Sequence, residues 1–392
     1  MLFQFKTNNE DFVVKEELWF TLSWKGDVFF VNFRKNNFNT MDIVEHLCYG
    51  LKLERKELWI AGLKDKNWIT DQRVSIYKRV LNRIWWEEKF LEVLSQKTQI
   101  LETNRHDTPL AVWKNAGNYF KIKLIAKWNI TDKIREQVES NISKIQKNWF
   151  PNCFGKQRFG KGYRNFYRAK EIFESTNHKI DDKFEIRFKL QAYASMYFNE
   201  YAMKRRQKWQ MFLWWDIMTN WNHWFDIKVW IYDKWKVGLF NYENTKKEFE
   251  WEDFIHPYYL SWETIDITQD SSNYLWRKPT WPMMWFNMLM PPKESKSYFR
   301  DLELLEETDY ANKWINVAKK YNIFGFRRPL WSTPKNLKYE REQNPKDKYK
   351  KDLNLSFSLP TGSYATTFLW VVFDWIDEKT VIENWLEIPL IK

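Results

Sequence analysis

The amino-acid sequence predicts an α+β protein of more than one domain. Three observations predict it. Residues 1–35 read as strands, with 27–35 and later 117–124 alternating at the strand period, whereas Ile43, Val44, Leu47, Cys48 and Leu51, and later Leu190, Tyr193, Tyr197, Phe198 and Tyr201, recur at the period of a helix. A chain of 392 residues makes two domains the expectation. Between about 170 and 320 the pattern breaks into short mixed elements, with clearer periodicity on either side.

Taken in order, Asp27 to Lys35 reads as a half-buried strand that delivers Arg34 and Lys35 at its end. Thr40 reads as the N-cap of the helix that follows, with His46 a surface histidine on its other side. The apolar run Leu58-Trp59-Ile60 then leads into Ala61-Gly62-Leu63-Lys64-Asp65-Lys66. That stretch sets a carboxylate between two lysines at a strand end or in the next loop, where catalytic groups are commonly displayed. Two flanking ammonium groups favour the ionised carboxylate, which suits a nucleophile and does not suit a general acid. On its own, the hexapeptide also reads as a turn with a solvated charge cluster. Gly117 to Leu124 alternates with lysines on one face, a face for phosphate or simply for water.

Residues 151–168 interleave cations and aromatics, as segments that bind unstacked RNA do. A glycine-punctuated loop packing its own rings would look the same. The helix through Tyr201 ends in Lys204-Arg205-Arg206, cations that suit a helix C-terminus. Gly325-Phe326-Arg327-Arg328-Pro329-Leu330 returns the chain to the first domain. Two strands follow, the second alternating through Leu353, Leu355, Phe357 and Leu359, around a charged tip from Lys338 to Asp352.

Net charge of +12 points toward a polyanion, because lysines and arginines that neutralise phosphates release counterions. Hydrophobic content of 44% with 29% charged residues is that of a soluble globular chain, with no run of membrane-spanning length and an N-terminus too short to be a signal peptide. The cytoplasm is the expected compartment. Cys48 and Cys153 form no CxxC or Cys/His ligand spacing, and His223 and His256 have no partner at metal spacing, so neither a disulfide nor a metal is expected. Glycine-rich dinucleotide and phosphate loops, Gly-x-Ser-x-Gly and His-Glu-x-x-His are all missing. What the residues leave is RNA and one activated carboxylate.

Tryptophan usage is anomalous. The chain has 26 tryptophans against 10 glycines, where ordinary usage would give roughly 27 glycines. Asn67-Trp68, Asn148-Trp149 and Asn220-Trp221 would each be a strong turn signal if the second residue were glycine. The expectation is that some tryptophans stand where UGA codons specify glycine in the source organism.

Four stretches occur in a telling order. Lys6 precedes Asn9-Glu10-Asp11-Phe12-Val13-Val14; the hexapeptide around Asp65 follows; then Pro151-Asn152-Cys153-Phe154-Gly155-Lys156-Gln157-Arg158-Phe159-Gly160; and last Leu359-Pro360-Thr361-Gly362-Ser363-Tyr364-Ala365-Thr366. Together they resemble the TruD family of tRNA pseudouridine synthases. The resemblance runs from about Lys6 to about Val372 and is carried by the ordered set. It implies a pseudouridine-synthase catalytic domain, a mixed and largely antiparallel sheet flanked by helices, split as 1–168 and 321–392 around an inserted α/β TRUD-type domain at 169–320.

The resemblance also implies a cofactor-free isomerisation of uridine in tRNA, at uridine 13 of the D arm, with Asp65 as the nucleophile and Lys6 as its basic partner. Phe12, Asn152, Phe154 and Tyr364 match positions around the substrate base. Taken singly, Phe12 and Tyr364 read as core aromatics and Asn152 as a turn former. Cys153 departs from the family's usual tyrosine. Trp24, Trp113, Trp149, Trp281, Trp285 and Trp370 fall where the family tends to carry glycine or another small residue, and Lys278 to Trp285 resembles its Thr-Gly-Pro turn. Lys64, Lys66, Arg105, Asn118, Lys121 and Arg158 are candidate RNA contacts. tRNA is the expected partner, with a monomer favoured. The alternatives are the same isomerisation on another RNA, and a non-catalytic RNA-binding or RNA-folding protein that does not depend on Asp65.

Overall fold

A computed structural model describes residues 3–5, 8–64, 66, 68–84, 86–111, 114–126, 132–147, 149–174, 183–207, 216–220, 228–233, 236–241, 260–266, 277–283, 297–300, 311–323, 325–344 and 351–373. The chain divides into two units. One holds residues 1–147, 334–365 and 373–383, the other 148–333, 366–372 and 384–392. These breaks fall at 147 and 333, where the sequence analysis set them at 168 and 320.

The first unit contains β1 (Phe3–Phe5), β2 (Phe12–Leu18), β3 (Val28–Lys35), α1 (Thr40–Leu51), β4 (Trp59–Ile60), β5 (Ile69–Tyr77), α2 (Lys78–Leu81), α3 (Trp86–Ser95), β6 (Gln99–His106), β7 (Asn115–Ala126) and α4 (Asp132–Lys147). The second contains β8 (Phe150–Pro151), α5 (Arg164–Glu174), α6 (Lys183–Gln207), β9 (Ile217–Asn220), β10 (Lys228–Asp233), β11 (Lys236–Asn241), β12 (Leu260–Asp266), β13 (Arg277–Met283), α7 (Ala311–Lys320), β14 (Phe326–Pro329) and β15 (Trp331–Ser332). β16 (Lys335–Gln343) and β17 (Lys351–Pro360) return to the first unit, and α8 (Ala365–Phe373) contributes to both.

Nine strands make the first unit's sheet, in the order β16-β17-β7-β2-β5-β3-β6, with β1 on β7 and β4 on β5. Among the described residues only β2 and β5 run parallel, through Val13 opposite Ile69 to Lys15 opposite Asp71. A parallel pair needs a long crossover, and β3, α1 and β4 lie along it. The sheet is therefore mixed and largely antiparallel.

β3 departs from the half-buried strand its sequence suggests. Phe29, Val31 and Phe33 pack with Ile43, Val44, Leu47 and Leu51 of α1 and Phe90, Val93 and Leu94 of α3, while Val28 and Phe30 join a second cluster with Ala61 and Leu110. These two clusters bury both of its faces, so the apolar run is nearly continuous. The two cations at its end are also occupied. Arg34 grips Asp71 with two hydrogen bonds, at 2.7 and 2.9 Å, and buried Lys35 donates to the carbonyl of Phe38 at 2.8 Å.

Asn39, not Thr40, caps α1. The Asn39 side chain accepts from the Asp42 amide at 2.8 Å and the Asp42 carboxylate accepts from the Asn39 amide at 3.0 Å, a reciprocal box that leaves the Thr40 hydroxyl free for other partners. His46 is half-buried, its Nε2 3.0 Å from the Val93 carbonyl. At the other end of the sheet the strands run further into the charged tip than expected, β16 to Gln343 and β17 from Lys351. Residues 345–350 of the tip lie outside the described residues.

The second unit has a six-stranded sheet, β12-β11-β10-β9-β13-β14, antiparallel at each of these pairings. β13 replaces the turn expected around Trp281, because Arg277 to Pro279 pair with β9 and Thr280 to Met283 with β14. Trp281 is buried there, its ring 3.6 Å from that of Tyr201. α5 packs on α6 through Phe166 and Tyr193, stacked at 5.1 Å. Arg205, read as a helix-end cation, turns inward: it pairs with fully buried Asp216 at 2.9 Å, which also takes Arg300 at 2.5 Å.

Burial alone would push the Asp216 carboxyl up, but Arg205 and Arg300 together hold it below the usual carboxylate range. A carboxyl held lower in the folded than in the unfolded state stabilises the fold above its unfolded value of about 4, and loses that contribution as pH falls further. The urea midpoint should therefore fall on acidification below about pH 4, with a smaller acid slope in Asp216→Asn. Equal slopes in the two proteins would remove Asp216 from the account.

Trp24 and Trp86 take φ of 61° and 78°, in the left-handed region. A β-carbon there costs about 1–2 kcal/mol, part of which glycine would return as chain entropy of the unfolded state. Trp24→Gly and Trp86→Gly are each expected to stabilise the protein by about 1 kcal/mol, read as a higher urea midpoint at unchanged slope. Destabilisation by both would argue that the indoles are native.

Among the described residues no helix is long and apolar enough to cross a membrane, and no cluster of three or more His, Cys, Asp or Glu side chains could hold a metal ion.

Candidate active site

Asp65 and Lys6 lie outside the described residues, whereas Lys64, Lys66 and the elements around them are described. β2 supplies the first part. Phe12, Val14 and Glu16 share its inward face, and Asn118 of β7 stands directly opposite Glu16. Phe12 is buried against the rings of Trp68, at 5.5 Å, and Phe120, at 6.1 Å. Lys64 reaches the same place from its loop: its ammonium donates to Asn118 Oδ1 at 2.6 Å and lies 3.8 Å from Glu16 Oε1.

Burial raises the Glu16 carboxyl, and the nearby charges of Lys64 and Arg73 only partly oppose it. Arg73 adds a backbone N–H to Glu16 Oε2 at 3.1 Å and a guanidinium bond to the Glu16 carbonyl at 2.7 Å. The expectation of two lysines acting on Asp65 thus meets a division of labour, since Lys64 is engaged by Asn118 and Glu16 whereas Lys66 is exposed.

The loop before Asp65 is fastened from below. Thr40 Oγ1 accepts from the Lys64 amide at 2.8 Å and donates to Gln72 Oε1 at 2.9 Å; Gln72 Nε2 donates to the Gly62 carbonyl at 2.6 Å. Between these anchors Leu63 is 61% exposed.

Tyr364 follows a turn that the end of β17 makes possible. Gly117 lets the strand pass where a β-carbon would stand 2.3 Å from the Leu359 carbonyl oxygen. Thr361 Oγ1 then donates to the Asn115 carbonyl at 2.6 Å, Gly362 adopts a φ of 83°, and Tyr364 emerges half-buried. Arg105 pairs with Glu87 and lies over the Phe29 ring, and Lys121 is exposed on β7.

In the second unit Asn152 and Phe154 come together around a residue the motifs did not single out. Arg328 is 1% exposed; it donates from Nη2 to Asn152 O at 2.7 Å and Oδ1 at 3.1 Å, and its guanidinium lies 3.8 Å over Phe154. Asn152 donates its own side-chain N–H to the Pro329 carbonyl at 3.0 Å. A guanidinium only donates and a carbonyl only accepts, so these two partners determine which way the Asn152 amide faces. Asn199 of α6 pairs with Phe154 through both backbone groups, at 2.7 and 3.0 Å.

Arg158 is bound into α6, donating to Gln191 at 2.8 Å and Ser195 at 3.3 Å and lying over Phe154 and Phe188. Burial pushes the Cys153 thiol up to about 12, against the lowering pull of Arg328 and Arg206, so it stays protonated and is no rival nucleophile at neutral pH.

Glu16, Thr40, Gln72, Asn199 and Arg328 were not legible as site residues. One signal existed for two of them: Glu16 and Gln72 are polar side chains in phase with the apolar faces Phe12-Val14 and Val74-Ile76, a placement that demands a buried partner.

The family model described as tRNA pseudouridine synthase D (TruD) matches residues 3–175, a range that takes in Phe12, Asp65, Asn152, Phe154 and Arg158. A relative named tRNA pseudouridine synthase D from Helicobacter acinonychis is 26% identical over 370 residues, 94% of this chain and 92% of its own. Relatives of the same name from Shewanella oneidensis and Photobacterium profundum are 34% identical over 196 residues and 32% over 201. Those two matches cover half of this chain and 50% and 53% of the relatives, so there the chain spans only about half the length of the protein it matches. A solved structure from Methanosarcina mazei, assigned provisionally as tRNA pseudouridine synthase D (TruD), superposes with a TM-score of 0.59 at 17% identity over 95% of this chain and 93% of that one, a likeness of fold. Over residues 3–175 the chain is thus similar to the TruD family, and over nearly its whole length it shares the fold of a solved structure assigned to that family.

Proposed function

We propose that this protein isomerises uridine to pseudouridine in tRNA, at uridine 13 of the D arm, with Asp65 as the nucleophile. The observation that carries the reading is the family match over residues 3–175, which includes Asp65, together with relatives that bear the synthase's name. The reaction breaks the C1′–N1 bond, turns the uracil and joins C1′ to C5; C5 gives up a proton and N1 gains one. Atoms and electrons balance within the nucleotide, so the chemistry calls for a nucleophile and a held base, and no redox partner or cosubstrate.

In this reading Asp65 adds to the ribose or to the uracil ring, and Lys6 is its basic partner. Phe12, Phe154 and Tyr364 cover the flipped base, and Asn152 reads one of its edges. Lys64, Lys66, Arg105, Asn118, Lys121 and Arg158 serve the RNA, directly or by fixing neighbouring groups, in a field set by the net charge of +12. The functional division is a catalytic domain from 1–168 and 321–392 around an inserted domain at 169–320, working as a cytoplasmic monomer.

The test is base-resolved pseudouridine mapping on unmodified tRNA transcripts. Product at a single D-arm uridine supports the proposal. Product at other RNA positions would move the target, and tight binding without product would favour a non-catalytic RNA-binding protein.

A further inference from the structure

The hydrogen bonds of Thr40 and Gln72 are spent on one loop. Thr40 begins α1, yet the cap of that helix is Asn39, so the helix does not call on the Thr40 hydroxyl. The Lys64 amide can only donate, so Thr40 Oγ1 accepts there; its own proton has Gln72 Oε1 at 2.9 Å as the nearer acceptor and the Lys64 carbonyl at 3.4 Å as the longer one, and the Gln72 amide faces its N–H to the Gly62 carbonyl. Both side chains are buried, Thr40 at 1% and Gln72 at 0% exposed, and buried polar groups in one fully bonded chain hold their partners rigidly.

The opposite side of the loop is open. Leu63 is 61% exposed, and among the described residues a β-carbon on Gly62 would meet nothing within 4 Å. The Lys64 side chain is drawn back to Asn118, at 2.6 Å. Fixed peptide groups therefore run up to the residue before Asp65, on a loop with an outward face.

We propose that Thr40 and Gln72 are positioning residues for Asp65, their relay to the Gly62 and Lys64 peptide groups fixing where the next residue's carboxylate meets the RNA. This rests on Asp65 being the nucleophile. Misplacing a reacting group by about 1 Å costs on the order of 100-fold in rate.

The experiment compares wild type, Thr40→Val, Thr40→Ser, Gln72→Met and the Thr40→Val/Gln72→Met double variant on the same tRNA, reading kcat, KM, tRNA affinity and thermal unfolding. Thr40→Val and Gln72→Met should each lose about 10- to 100-fold in kcat, with KM and tRNA affinity within about twofold. Thr40→Ser keeps the hydroxyl and should restore kcat to within about threefold of wild type. The double variant should be no slower than the worse single, because both changes break one relay. Wild-type kcat in Thr40→Val, no rescue by serine, or losses that multiply would overturn the inference. If Thr40→Val does not fold, Gln72→Met and Thr40→Ser still decide. A wild-type protein that forms no pseudouridine defeats the proposed function itself, whereas an active wild type with silent variants defeats only the positioning role.

Discussion

Asp65→Asn is expected to stop pseudouridine formation, by a factor on the order of 1,000 or more, while tRNA binding stays close to wild type. The amide has nearly the size of the carboxylate but no charge with which to attack. Its loss of one negative charge leaves a chain of net charge +12 slightly more positive, so affinity for a polyanion is not the term that suffers. Single-turnover assays with enzyme in excess separate the two quantities. Retained binding with no product assigns Asp65 to chemistry; product at near wild-type rate would place the nucleophile elsewhere; and parallel loss of binding and product would mean that the substitution disturbs the loop.

That loop also shows what sequence could and could not reveal. The helix at Thr40–Leu51 was legible because Ile43, Val44, Leu47 and Leu51 repeat every three or four residues and are all buried. Its first residue was misassigned, since Asn39 and Thr40 are both good caps and only geometry chooses between them. The half-buried reading of β3 failed for a different reason: alternation describes one buried face, and a strand with an apolar cluster packed on each side of the sheet has two. Phe12 and the Asn152 motif stood out through their order along the chain. Their partners did not, because Glu16 and Asn118, or Asn152 and Arg328, become neighbours only when strands pair or a guanidinium crosses between segments far apart in sequence. Local pattern announces an element; the polar contacts that organise a site are long-range.

Arg328 offers the sharpest case of such a contact. Arg328→Met should destabilise the protein by about 2–4 kcal/mol, because it removes the bonds to Asn152 and the guanidinium from the Phe154 face, while also removing the cost of burying a charge. Arg328→Lys is expected to be the worse substitution, although it keeps the charge. An ammonium is more strongly hydrated, so its burial costs more, and it has no planar fork with which to hold the Asn152 carbonyl and Oδ1 and lie flat over a ring. Urea midpoints at constant slope decide the order. Methionine above lysine means that the shape of the guanidinium is what the site uses, and both variants should then also raise KM through a loosened Asn152 and Phe154; lysine above methionine would mean that the charge alone matters, and that the field of Arg328 rather than its geometry serves those two residues.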